Sequence, residues 1–155
     1  MIPDRAARGK CWHHRAMDRR TEELVRRFYD DAWNRWDDTV VDDLLAPTFT
    51  FRGSLGDEVQ GRDGWRGYRD GIRGAVPDFH NEVVELVTAP DRAAARLRYT
   101  GHHHGVLLGI RGTGAAIEYA GAAFFRVAGG RLASAWVLGD LDGLRRQIEA
   151  ASDLS

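Results

Sequence analysis

The change of hydrophobic period at Pro77 constrains this chain more than any other feature. After it, apolar residues recur at every second position: "FHNEVVELVT" and "RAAARLRYT", parted by "APD", read as two antiparallel strands joined by a turn. "AAIEYAGAAFFRV" and "RLASAWVL", parted by "AGG", read as two more, the glycines supplying the positive backbone angles of a tight hairpin. Before Pro77 the steps are three and four. From Thr21, a plausible cap, Leu24, Val25, Phe28, Tyr29, Ala32, Trp33 and Trp36 fall on one helical face. A short helix through Val40, Val41, Leu44 and Leu45 should stop before Pro47, "TFTFRG" reads as a short strand, and Asp63 can cap a helix carrying Trp65, Tyr68 and Ile72. The last strand runs into "DGLRRQIEA", where Leu144 and Ile148 are spaced for a terminal helix. Helices first and strands second predict an α+β fold, with helices on one face of a bent antiparallel sheet and a concave apolar pocket between them.

With 155 residues, 43% of them hydrophobic, the chain has the material for one core and one domain. Positive and negative side chains nearly cancel, 22 against 23, which gives no general attraction to nucleic acid or to anionic lipid. A neutral, apolar or aromatic small molecule is the expected partner. No stretch approaches the ~20 apolar residues of a membrane span. The single Cys11 has no disulfide partner in the chain, which favours a cytoplasmic setting. Residues 1–18, rich in arginine and without an apolar run, are expected to be a disordered leader. The domain is expected over 19–150, with a tail from 151, and Met17 is an alternative start.

Asp140 ends the last strand and opens the last helix, so two roles compete for it. On the strand it shares a face with Ser134, Trp136 and Leu138; if that face lines the pocket, desolvation lifts its pKa toward the range of a general acid–base. Alternatively it caps the helix, with Asp142 competing for that position. In "GHHHG", His102 and His104 project from one strand face and His103 from the other. Without a nearby Asp, Glu or Cys to complete a zinc set, they read as rim residues or as one substrate-facing imidazole rather than as a metal site. Asp78 and His80, two apart, suit a turn and a pocket edge. Arg96, Arg98 and Arg126 suit a solvated sheet face, although one inward arginine could hold a carboxylate or enolate. The chain has no nucleophile elbow, phosphate loop or dinucleotide fingerprint.

Five strings, "FYDDAWN", "VPDFHNEVVELV", "TGHHHGVLLGIRGTG", "FFRVAGGRLASAW" and "WVLGDLDGLRRQ", together resemble the SnoaL-like polyketide cyclase family of the nuclear transport factor 2-like superfamily, from about residue 21 to 148. The resemblance implies a cone-shaped barrel, a strongly curved antiparallel sheet closed by the N-terminal helices around a deep pocket. It also implies a homodimer formed through the outer face of the sheet. The family's tryptophan and, four residues on, its acid–base aspartate match Trp136 and Asp140, and its histidine in G-T-H-T-G matches His103. Departures are Arg111 and Gly112 in place of a double proline, Arg52 in place of a histidine, and "AGAAFFRV" without the polar residues that help to bind substrate.

The reaction so implied is a cofactor-free intramolecular aldol closure of a polyketide-like ester. Asp140 takes a proton from carbon and returns it to the new alkoxide, and His103 assists. Trp136, His80, His102, Arg98, Phe124, Trp33 and Trp65 are the candidate substrate contacts. An epoxide hydrolase or cyclase-like hydroxylase in the same pocket would need Arg98 or His102 to face Asp140. A binding or dimerisation module without turnover would leave Asp140 as an exposed cap.

Overall fold

A computed structural model describes residues 5–154, with side chains from Trp12 onward. The first helix, α1 (Arg5–Arg27), runs directly into a π-helical segment, Phe28–Asn34. A 3-10 turn (Asp38–Val40) and the short α2 (Val41–Leu44) follow, then β1 (Leu45–Arg52), β2 (Glu58–Gln60) and α3 (Gly61–Ala75). The strand-rich half is β3 (His80–Ala89), β4 (Arg92–His102), β5 (Ala116–Ala128) and β6 (Arg131–Gly139), closed by α4 (Leu141–Ser152). Residues 5–18 of the segment expected to be a leader are described as part of α1, with Trp12 exposed. Thr21 is accordingly not a cap. It lies buried in mid-helix and its hydroxyl donates to the Pro90 carbonyl, tying α1 to the β3–β4 turn. Nor does Asp63 cap α3: Gln60 holds that position, and Asp63 pairs with Arg66 one turn on.

The sheet has the order β2-β1-β6-β5-β4-β3. The expected α+β arrangement, a curved sheet packed on the N-terminal helices, is present; in detail the sheet is mixed, because β1 runs parallel to β6, and it is open rather than closed into a barrel. Alternation within a strand reports its two faces but carries no information on a partner so distant in sequence. Register shifts at Leu45/Thr50, Val83/Glu85 and Arg126/Val127 bend the sheet around α1 and α3. Its inner face presents Phe49, Phe51, Leu97, Tyr99, Tyr119, Phe125, Ala135 and Val137, all buried. From the helices, Phe28 fills the centre, within 6.5 Å ring to ring of Phe49, Phe51, Trp65 and Phe125.

Arg69 of α3 fixes the helical layer. Its side chain is buried, donates to the Ala32 carbonyl of the π-helical segment and to Asp38, and lies over the rings of Trp36 and Trp65. Trp36 takes the left-handed backbone region, φ 60°, with Arg73 also stacked on its indole at 4.1 Å. No helix among the described residues is long and apolar enough to cross a membrane.

Candidate functional site

Between the inner face of the sheet, the π-helical segment and α3 lies an interior lined by Tyr29, Trp33, Phe51, Ser54, Tyr68, Ile72, Phe79, Asn81, Tyr99 and Val137. No lining side chain is charged. The unfilled space is about 20 Å³, room for one water, so the aromatic rings pack closely against one another. Trp33 meets Trp65 edge-on at 5.6 Å and Tyr68 at 6.3 Å, while Phe79 stacks on Tyr99 at 5.5 Å. Asn34 and Asn81 brace one side: the Asn34 amide donates to the Asn81 carbonyl (2.8 Å) and accepts from the Asn81 backbone N–H (2.9 Å).

All four tyrosines of the chain border this interior or sit beside it, and each is held as the neutral phenol. Burial pushes the pKa of Tyr29, Tyr99 and Tyr119 well above the ordinary tyrosine value. Burial also raises Tyr68, partly offset by the backbone of Leu55 and the Ser54 hydroxyl close by. The Tyr119 and Ser54 hydroxyls are 3.3 Å apart. The interior is therefore uncharged, aromatic and furnished with hydroxyl groups. Sequence reasoning named none of Tyr68, Tyr99, Tyr119, Ser54 or Asn81 as site residues. The available signal was glycine: a Cβ at Gly53 would fall 2.0 Å from the Tyr68 oxygen, and one at Gly121 2.4 Å from the Tyr99 ring.

Asp140 lies elsewhere. The strand face it shares with Trp136 and Leu138 is the outer one, on which Trp136, Leu138 and Phe124 are half exposed. Its backbone N–H donates to Ala120 and its carboxylate accepts from the Gly143 N–H at 2.9 Å, capping α4. Gly143 permits this, since a Cβ there would meet the carboxylate oxygen at 2.3 Å. The apolar surroundings expected for Asp140 are absent because the parity of β6 sends Ala135 and Val137 inward instead. Asp140 shares an open depression with Arg98, Glu118, Tyr119 and Gln147, so Tyr119 borders both this depression and the interior hydroxyls. Arg98 lines the same depression, and its guanidinium is engaged by Glu82 (2.6 Å) and Glu118 (3.1 Å).

His103 is fully buried, opposite its two neighbours as alternation predicts, and both ring nitrogens are engaged. Nε2 lies 3.1 Å from the Ile110 carbonyl, which can only accept, so Nδ1 accepts from the Thr113 hydroxyl at 3.1 Å. It pins the 107–113 loop and has no atom left for a ligand. His102 is exposed and donates from its backbone N–H to Asp78, whose other oxygen meets Nδ1 at 2.6 Å; His104 stacks beside it. That contact holds the Asp78 carboxyl below its usual range. His80 is exposed at the start of β3. Phe124 packs on Trp136 outside, and Trp65 is core behind Trp33. Of the predicted substrate contacts, only Trp33 lines the interior. Among the described residues no group of three or more His, Cys, Asp or Glu is placed to hold a metal ion.

A bent sheet wrapped on helices around a buried aromatic interior defines the class of this α+β domain. The family model of the SnoaL-like polyketide cyclases matches residues 23–148, and the chain belongs to this family, with the nuclear transport factor 2-like fold. Among solved structures it resembles a protein from Jannaschia sp. CCS1 named as a SnoaL-like polyketide cyclase, with TM-score 0.78 and 20% identity over 86% of this chain and 94% of that one. TsrD from Streptomyces laurentii gives TM-score 0.74 and 27% identity over 84% of this chain and 96% of its own. IdmH from Streptomyces antibioticus, named as a polyketide cyclase, gives 0.72 and 25% over 83% and 97%. No curated protein matches the sequence.

Proposed function

We propose that the protein is a cofactor-free cyclase acting in the cytoplasm on an apolar, carbonyl-rich, polyketide-like ester, and that it closes a ring by intramolecular aldol addition. The observation that carries this reading is the uncharged aromatic interior with phenolic donors. It suits a flat apolar chain whose carbonyl oxygens need hydrogen bonds and whose carbon acid needs a dry setting. Asp140, in the outer depression that Tyr119 also borders, is the acid–base, and the substrate chain must run from the interior past Tyr119 to reach it. It removes a proton from a carbon flanked by carbonyls, the resulting enolate attacks a second carbonyl of the same molecule, and the carboxyl returns the proton to the new alkoxide. To do so it gives up its bond from Gly143 for one to substrate. The interior must also open, since a ligand of this class needs several hundred Å³. Tyr29 and Trp33, both on the π-helical segment, are the rings that must part. The acting unit is a homodimer joined through the outer sheet face, where Val87, Phe124, Trp136 and Leu138 are exposed.

A specific observation favours a second reading, a binding module without turnover: Asp140 is an exposed cap, and no carboxylate or imidazole lines the interior. One experiment separates them. A panel of linear aromatic polyketide methyl esters is incubated with wild-type protein and with Asp140→Asn, and products are read by mass spectrometry. Asparagine keeps the cap acceptor but cannot carry the proton. Turnover by wild type alone supports the cyclase. Equal turnover by both removes Asp140 from the mechanism, and binding of esters without conversion by either establishes the module.

A further inference from the structure

We infer that Tyr68 and Ser54 form a two-donor cradle, held in place by Tyr119 and by two glycines, that binds an enolate or phenolate oxygen of the ligand. This rests on the interior being the ligand site and names the group recognised there. The Tyr68 hydroxyl is buried and makes no hydrogen bond of ordinary geometry, although the Leu55 backbone and the Ser54 hydroxyl lie close enough to act on its oxygen; its proton has no acceptor there. Ser54 lines the same interior, and its hydroxyl lies 3.3 Å from that of Tyr119. Two hydroxyls in one hydrogen bond have two protons and spend one, so when Tyr119 donates, the Ser54 proton is free to turn inward. Two hydroxyl donors bordering one uncharged, closely packed space form the arrangement that stabilises an oxyanion. All three groups are weak acids in that setting, so they donate and do not compete for the charge.

The backbone is shaped around this cluster. A Cβ at Gly53 would lie 2.0 Å from the Tyr68 oxygen and would drive the ring out. A Cβ at Gly139 would meet Ser54 at 3.0 Å and the Tyr119 ring at 3.2 Å. Neither glycine needs a positive φ, so backbone conformation does not explain them, whereas the close approach of the hydroxyl side chains does. Tyr119 is a positioning residue: it backs Ser54 and is not itself among the residues lining the space.

The test uses the full chain and two matched probes, 2-naphthol, whose oxygen mimics an aromatic enolate, and 2-methylnaphthalene, which lacks the oxygen. Binding is measured calorimetrically, and the ionisation of bound naphthol is followed by absorbance. The cradle predicts that naphthols bind more tightly as their acidity increases and ionise at lower pH when bound. It also predicts that Tyr68→Phe and Ser54→Ala each weaken naphthol by about tenfold while leaving 2-methylnaphthalene within about twofold. Tyr119→Phe should raise the pH at which bound naphthol ionises while hardly changing the hydrocarbon. If both probes bind equally and the variants weaken them alike, the cradle is wrong and the interior site stands. If neither probe binds wild type, the cradle and the interior site are both overturned. Oxygen-dependent binding without ring closure on any ester leaves the cradle and removes the cyclase.

Discussion

Asp140 caps α4 in the structure and is the acid–base of the proposed reaction. As a cap accepting from Gly143 it contributes about 1 kcal/mol, which Asp140→Ala should lose and Asp140→Asn should largely keep in urea denaturation. A loss of turnover in the asparagine variant is then a chemical effect rather than one of folding. Asp78 makes a pH-dependent contribution. The His102 contact holds its carboxyl below the ordinary aspartate range, so its contribution to stability is complete above that range and is lost as pH falls through the lower folded value. Asp78→Asn should therefore flatten the fall in urea midpoint as pH drops below the ordinary carboxylate range; an unchanged slope would deny the coupling. At this scale the sequence exposed the alternation of the three histidines but not which face was inner. On β6 both parities are apolar, Trp136 and Leu138 against Ala135 and Val137, and only the partner elements decide between them.

The hairpins β3–β4 and β5–β6 were legible because their registers are set by local turns, with Gly129 and Gly130 at positive φ between the latter pair. The parallel contact of β1 with β6 was not legible, since it joins segments from opposite ends of the domain. Arg69 escaped the helical pattern for a related reason. Hydrophobic periodicity counts arginine as solvent-facing, whereas two indoles and a freed carbonyl bury this one. The large apolar groups on the outer face of β5 and β6 have a consequence of their own: Phe124 is 52% and Trp136 43% exposed, a patch suited to a second copy of the same sheet. Sedimentation at micromolar concentration should show a dimer for wild type and a monomer for the Phe124→Asp, Trp136→Lys double variant. A monomeric wild type would remove this part of the proposal.

For the molecule as a whole, the tyrosines couple the site to the fold. All four are pushed upward by burial, so the folded protein retains phenolic protons that an unfolded chain releases near pH 10. Above that pH stability must fall with rising pH, because the unfolded state binds fewer protons than the folded one. Phenolate absorbance and loss of tertiary structure should therefore appear together in an alkaline titration, and a phenolate signal from protein that is still folded would show that the interior is wet. The α+β class and the family were readable from the order of periods and from local strings. The site was not, because it is assembled from a turn residue, a helix residue and strand residues that no spacing connects.

The claim on which the account turns is that the aromatic, oxygen-bearing part of the ligand is held in the tyrosine-lined interior and only the reacting end extends toward Asp140. The most direct measurement is a crystal structure of the protein with 2-naphthol. The account predicts the rings of Tyr29 and Trp33 displaced and the naphthol oxygen within hydrogen-bond distance of Tyr68 and Ser54. Naphthol seated among Arg98, Glu118 and Asp140, with the interior unchanged, would contradict it.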